Sequence, residues 1–347
     1  MEYSSESRSA QSPEGTMPPV AKESQEPLLL RETMRIKDML SNAIRNMSNV
    51  QELSLSSGYS RSDHRFCDDY LQIIMANGWK AFGSTLCHLK LFLPLEEYQH
   101  VLTPTLMFPA LQDLQIFLGV RNVGVTYDGT KLLRDSLIPF INNHHSILEC
   151  LTLVLRGNYK IQGIDMYHLS PSRLRKLALV RDFPNSDQVA DTSVIQHILQ
   201  LPLNELQELS LRFHIPSRPL ELQKVFHIPL SSTRLESLCL GSGCFFDLGH
   251  TVTYLQQFDG LKTLSLDSGI PFSYTIVQTL IDALTERNTL QKLSIRLSWL
   301  TPELLDRLAT KLRSLKFLSL LFRRIGGCEW YPQQDEEQAV GIIHSIS

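Results

Sequence analysis

The residues best equipped for chemistry come in small groups, and the spacing of each group limits the reaction it could serve. His64-Arg65-Phe66-Cys67-Asp68-Asp69 places three kinds of metal-ligating side chain within six positions. A closed metal site needs about four convergent ligands, and no second cluster stands at a compatible spacing. His144-His145 forms a second pair, just before an apolar phrase, where a solvent-facing loop is expected. Cys150 and Cys239 carry thiols, but neither has a sequence neighbour that would act as an activating base. LGSGCFFDLG (240–249) is the richest glycine run. Gly241 and Gly243 could cradle a phosphate, yet no helix start or Lys follows at the needed spacing, and a turn leaving a strand accounts for both. Phosphate-loop, metalloprotease and nucleophile-elbow motifs are missing. These groups predict no enzyme, no cofactor and no resident metal.

What must position any functional side chain is a phrase that returns ten times: apolar-x-x-Leu-x-apolar. It reads VQELSL (50–55), LCHLKL (86–91), LQDLQI (111–116), LECLTL (148–153) and LRKLAL (174–179). It continues as LQELSL (206–211), LESLCL (235–240), LKTLSL (261–266), LQKLSI (290–295) and LKFLSL (315–320), with intervals of 25 to 37 residues. Side chains alternate across a strand, so positions four and six share one face while position five lies on the other. A short strand cannot bury its leucines alone, but stacked copies can. Parallel strands need a crossover, usually a helix. TIVQTLIDALTERNTL (275–290) supplies one, with Ile276, Val277, Leu280, Ile281 and Leu284 on one face. TPELLDRLATKLRSL (301–315) supplies another: Thr301 as N-cap, Pro302 at the first helical position, then Leu304, Leu308 and Leu312. DDYLQIIMANGW (68–79) offers Leu71, Ile74 and Met75 in the same way. The fold class predicted is α/β: a leucine-rich repeat solenoid of about ten units, with a curved parallel sheet inside and helices on the convex side.

The uneven unit length and strings such as SPSRLRKLAL resemble ribonuclease-inhibitor-like repeats and the F-box/leucine-rich-repeat proteins of fungi, over roughly residues 28–347. That resemblance implies a protein partner on the concave face and a role as the substrate-recognition region of a ubiquitin ligase adaptor. Skp1 and cullin would be further partners if an F-box accompanies the repeats. The alternative is a regulatory inhibitor or adaptor unrelated to ubiquitin ligation. The chain departs from the family at two points. Position nine, where the family carries Asn or Cys, holds Gly58, Pro94, Gly119, Arg156, Asp182, His214, Gly243, Gly269, Ser298 and Arg323, so irregular, individually stabilised loops are expected. No F-box is recognisable, since its Leu-Pro-x-Glu start appears only as LPLEEY (93–98), directly after a repeat strand.

Residues 1–27 hold six Ser, four Pro and five Glu with little apolar content, the composition of a disordered tail. From Leu28 to Ser48 the pattern turns helical, with Ile36, Met39, Leu40, Ala43 and Met47 on one face, as a helix that completes the first unit or caps its edge. EEQAVGIIHSIS (336–347) begins what reads as another convex helix and stops, as in a fragment or a chain without a cap. A net charge of −3 argues against a general electrostatic footprint for nucleic acid or anionic lipid. No apolar run reaches the ~20 residues of a membrane span, and the start lacks signal-peptide order. Six scattered cysteines without framework spacing point to reduced thiols, hence cytoplasm or nucleus.

In such a solenoid the side chains that the core leaves free carry function. Position five offers mostly small residues. Position seven is more informative: Phe92, Phe117, Val154 and Val180 form an apolar stripe, then Arg212 and Arg296 bracket Asp267. A contiguous apolar stripe with adjacent Arg has the composition of a protein interface. The other reading is that loops fold over the same side chains and make them core.

Overall fold

The computed structural model describes residues 26–56, 64–119, 127–156, 159–160, 168–182, 193–214, 225, 230, 234–241, 248–267, 269, 271–285 and 289–326. Ten strands form one parallel sheet, each built on one copy of the phrase. They are β1 (Glu52–Ser56), β2 (His88–Pro94), β3 (Asp113–Gly119), β5 (Cys150–Arg156), β7 (Lys176–Asp182), β8 (Glu208–His214), β9 (Ser237–Gly241), β10 (Thr263–Asp267), β11 (Lys292–Leu300) and β12 (Phe317–Ile325). Between these lie β4 (Tyr127–Asp128) and β6 (Tyr159–Lys160), which pair with each other in a separate two-stranded ribbon. Neighbours in the large sheet are neighbours in sequence, so the chain winds one way without exchange.

Every pairing is in register with the phrase. Leu89 lies opposite Leu114, Leu114 opposite Leu151, and Leu151 opposite Leu177. The same row continues through Leu209, Leu238, Leu264 and Leu293 to Leu318. Positions four and six are therefore stacked and buried from β2 onward. A third core row stands at position eight, where Leu93, Leu118, Leu155, Phe213, Leu297 and Phe322 are buried. Each leucine so buried contributes roughly 1.5–3 kcal/mol relative to exposure.

Helices cover this leucine face. In the helix Tyr274–Thr285, Val277, Leu280, Ile281 and Leu284 are buried and Ile276 is half-buried against them. The helix Pro302–Lys311 starts as its sequence requires: Thr301 is extended (φ −121°, ψ 153°), and its side-chain oxygen accepts from the Leu304 N–H at 3.2 Å. α2 (His64–Phe82) is longer than its apolar spacing alone indicates; Met75 is buried while Leu71 and Ile74 pack half-buried on the core.

Two expectations about the ends are corrected or left aside. α1 runs Glu26–Arg45, so Glu26 and Pro27 belong to the helix and not to the preceding tail, and the helix stops before Ser48. Its apolar face is also turned. Ile36, Met39 and Met47 are 47%, 63% and 48% exposed, while Ile44 is buried and Leu40 half-buried. α1 packs beside α2, where Arg45 Nε donates to Asn77 Oδ1 at 3.0 Å, and this contact selects the Leu40–Ile44 side. Residues 1–25 and 336–347 lie outside the described residues.

Thr301→Ala removes the cap acceptor for Leu304 N–H and should cost about 1 kcal/mol, read as a lower denaturation midpoint with an unchanged slope.

Candidate inner-face interface

The face opposite the helices carries the odd positions of the phrase. Register places Phe92 beside Phe117, Phe117 beside Val154, Val154 beside Val180, and Val180 beside Arg212. Five predicted residues thus form one row across β2, β3, β5, β7 and β8. At the usual strand separation of 4.7–4.9 Å the row is roughly 19 Å long. The four apolar members are half-buried, neither covered as core nor fully open, and Arg212 is exposed. The Phe92 and Phe117 rings lie 6.0 Å apart, tilted by 37°.

Beyond Arg212 the row changes character. Gly241 stands opposite Asp267, which is exposed, and Arg296 lies half-buried on β11 beside Leu321. Asp267 and Arg296 are therefore separated from the apolar row by the glycine. A Cβ at Gly241 would meet the Cγ, Cα and Cβ of Arg212 at 2.7–2.9 Å. Gly241 is the last residue of β9, and its missing side chain makes room for the arm of Arg212. The guanidinium reaches Cys239, its Nη2 lying 3.7 Å from Sγ. The other candidate glycine, Gly243, lies outside the described residues.

Along the start of the strands Lys90 pairs with Glu52 at 2.6 Å and Lys176 with Glu208 at 2.9 Å, and His88 Nδ1 lies 3.7 Å from an Asp113 carboxylate oxygen. The hydrogen bond from Lys90 holds the Glu52 carboxyl below its usual range, and the bond to Glu208 raises the Lys176 ammonium. These exposed pairs are worth little as stability. Their effect is to leave a nearly neutral border along one side of the apolar row. Burial, helped by the Asp113 charge, pushes the Cys150 thiol up, so it stays protonated and is a poor nucleophile. Among the described residues no group of three His, Cys, Asp or Glu is placed to hold a metal ion, and no helix is long and apolar enough to cross a membrane. His64–Asp69 fall in α2, but their side chains lie outside the described residues.

Three features depend on contacts between residues distant in sequence. Tyr98, in the LPLEEY string, is fully buried, with its hydroxyl 2.7 Å from the carbonyl oxygens of both Leu91 and Phe117. It rivets β2 to β3 beneath the phenylalanine pair. LPLEEY is thus the end of β2 and a 3-10 turn, with Leu93 and Leu95 also fully buried. The second feature corrects an expectation: His144 is not in a solvent-facing loop but fully buried, while His145 is exposed. His144 Nε2 accepts from the Phe108 N–H at 2.9 Å and Nδ1 donates to the Phe140 carbonyl at 2.7 Å. The ring also packs against Phe140 at 4.5 Å. Both nitrogens are used, so neither remains for a metal. The third feature is a hydroxyl just before the phrase. Thr85, Thr289 and Ser314 each donate to the position-one carbonyl of the preceding unit, at 3.1, 3.0 and 2.9 Å.

No protein-family profile and no curated protein matches the chain. Among solved structures, a crystal structure of a Bacteroides fragilis protein is similar with a TM-score of 0.38 and 16% identity. The alignment covers 62% of this chain and 61% of that one. The assignment as an α/β repeat solenoid rests on the in-register parallel sheet itself.

Burial lowers the His144 pKa from 6.5, so between the two values the unfolded chain binds a proton that the folded chain refuses. Stability is therefore complete above pH 6.5 and declines as pH falls toward the lowered folded value. His144→Leu should abolish this part of the acid limb in denaturation series. It should also cost roughly 1–3 kcal/mol at neutral pH, because the Phe108 N–H loses its acceptor.

Proposed function

We propose that this protein is a non-enzymatic scaffold that binds a polypeptide on its inner face, centred on Phe92, Phe117, Val154 and Val180 with Arg212 at one end. The observation that supports this reading is the row itself: four half-buried apolar side chains from four adjacent strands, in register, ending at an exposed guanidinium. Aromatic and Arg side chains around a partly desolvated apolar strip are what protein interfaces concentrate. The paired border charges fit a partner held by apolar anchors better than one held by a phosphate backbone.

The narrower role, substrate recognition for an F-box-type ubiquitin ligase adaptor in cytoplasm or nucleus, draws its support from the sequence resemblance alone. Co-purification of Skp1 and cullin tests it separately. An inhibitor or adaptor outside ubiquitin ligation would use the same row.

Phe117→Glu places a carboxylate in the middle of the strip while keeping the leucine rows intact. Quantitative affinity purification should show a defined set of polypeptides retained by the wild type and by the helix-side control Thr279→Glu. Phe117→Glu should lose them by about tenfold or more, a deficit of about 1.4 kcal/mol, with its circular dichroism unchanged. An unfolded variant would place Phe117 in the core, and an unchanged set would remove the row from binding.

A further inference from the structure

The two ends of the sheet are built differently. At one end β1 is five residues long, and a short edge strand is a common way to keep unpaired backbone groups from capturing another chain. At the other end β12 runs nine residues, and among the described residues no strand pairs with its outer edge. Its helix side is closed by Leu318, Leu320 and Phe322, which are buried. On the inner face Phe317 is 53% exposed and Leu321 half-buried, and at the strand's end Ile325 is 58% exposed. The edge thus sets a row of N–H and C=O groups beside uncovered apolar side chains, the two things that an added strand needs.

Charge decides what kind of strand fits. The chain reads Lys316, then the uncharged stretch Phe317–Phe322, then Arg323 and Arg324, with no acid between Lys316 and Gly326. All three bases are exposed, and among the described residues none joins an ion pair, unlike Arg307, which Asp282 engages at 2.6 Å. Arg324 stands beside Trp299, its guanidinium 5.3 Å from the centre of that exposed ring, which holds the cation at the edge. At the rise of a parallel strand, Lys316 and Arg323 are roughly 23 Å apart. A second copy of β12 would bring only further bases to the joint, and like charges opposite each other in a sheet repel. We propose that the outer edge of β12 takes up an extended segment of a partner protein as a further strand, apolar over about six residues and acidic at both ends. Its acids meet Lys316 at one end and Arg323 and Arg324 at the other, and its apolar stretch lies along Phe317 and Leu321. β12 stands four strands beyond β8, roughly 19 Å from the Arg212 end of the apolar row, so the two surfaces are separate.

The test uses the full chain and a labelled decapeptide with two Glu at each end and alternating Val and Thr between them, read by fluorescence anisotropy and amide hydrogen exchange. The wild type and Phe117→Glu should bind it alike, more weakly as salt is raised, and binding should slow exchange at the outward amides of β12. A peptide of the same composition with its Glu gathered at the centre, or one with Lys in place of Glu, should bind about tenfold more weakly or worse. The double variant Arg323→Glu, Arg324→Glu should lose the Glu peptide by a similar factor and gain a peptide with Glu at one end and Lys at the other, a gain that controls for misfolding. No binding, equal binding of the two Glu peptides, or binding that leaves the β12 amides unchanged overturns the proposal. Outward β12 amides already slow without peptide also overturn it. Slowness at every concentration leaves the edge covered within the chain, and slowness only where light scattering reports a dimer assigns it to a second copy. Displacement of the peptide by oligothymidylate overturns it in favour of nucleic acid.

Discussion

At each of the nine junctions between strands, one carbonyl accepts two amides. The position-two oxygen of a unit takes the N–H groups of positions two and three of the next, as Gln51 O does from Cys87 and His88. The series continues through Cys87, Gln112, Glu149, Arg175, Gln207, Glu236 and Lys262 to Gln291, which takes those of Lys316 and Phe317, all at 2.7–3.0 Å. A hydrogen bond of this kind is worth about 0.5–1.5 kcal/mol net, so no unit can enter the sheet one residue early or late without loss. A one-residue slip would also turn the leucines to the open face. Backbone and side chains therefore enforce the same register, and the rest of the molecule follows from it.

One consequence is that the leucine rows are interchangeable and carry no specificity, while the odd positions become a surface with fixed addresses. Phe92, Phe117, Val154 and Val180 are scattered over 89 residues of chain, yet register makes them neighbours. Local devices then adjust that surface. Tyr98 secures the strands under the two phenylalanines, and Gly241 lets the Arg212 arm lie down across the sheet.

The sheet was legible because its rule is periodic: a leucine two residues from another, recurring with crossover-length gaps, has one economical solution. The Thr301-Pro302 helix start was legible for the same reason, since capping is local. Properties decided by distant contacts were not. Whether α1 buries Ile36 or Ile44 depends on where α2 lies, and both positions are apolar. His144 looks like a polar loop residue until Phe108 and Phe140 close over it. The hydroxyls at Thr85, Thr289 and Ser314 occupy one fixed place before the phrase, a signal present in the sequence but outside the six-residue template. The row from Phe92 to Arg212 was visible as composition; only half-burial separates it from core.

The shared register is tested most directly by residue-resolved amide hydrogen exchange at the starts of the strands. Position two lies before each strand and would exchange as an exposed turn if the doubled carbonyl contact were not formed. Slow exchange at Cys87, Gln112, Glu149, Arg175, Gln207, Glu236, Lys262, Gln291 and Lys316, matching the position-three amides beside them, is the result the account predicts. Among the described residues no preceding unit supplies a carbonyl to Gln51, whose amide should exchange fast. Fast exchange at the position-two amides throughout would contradict the account.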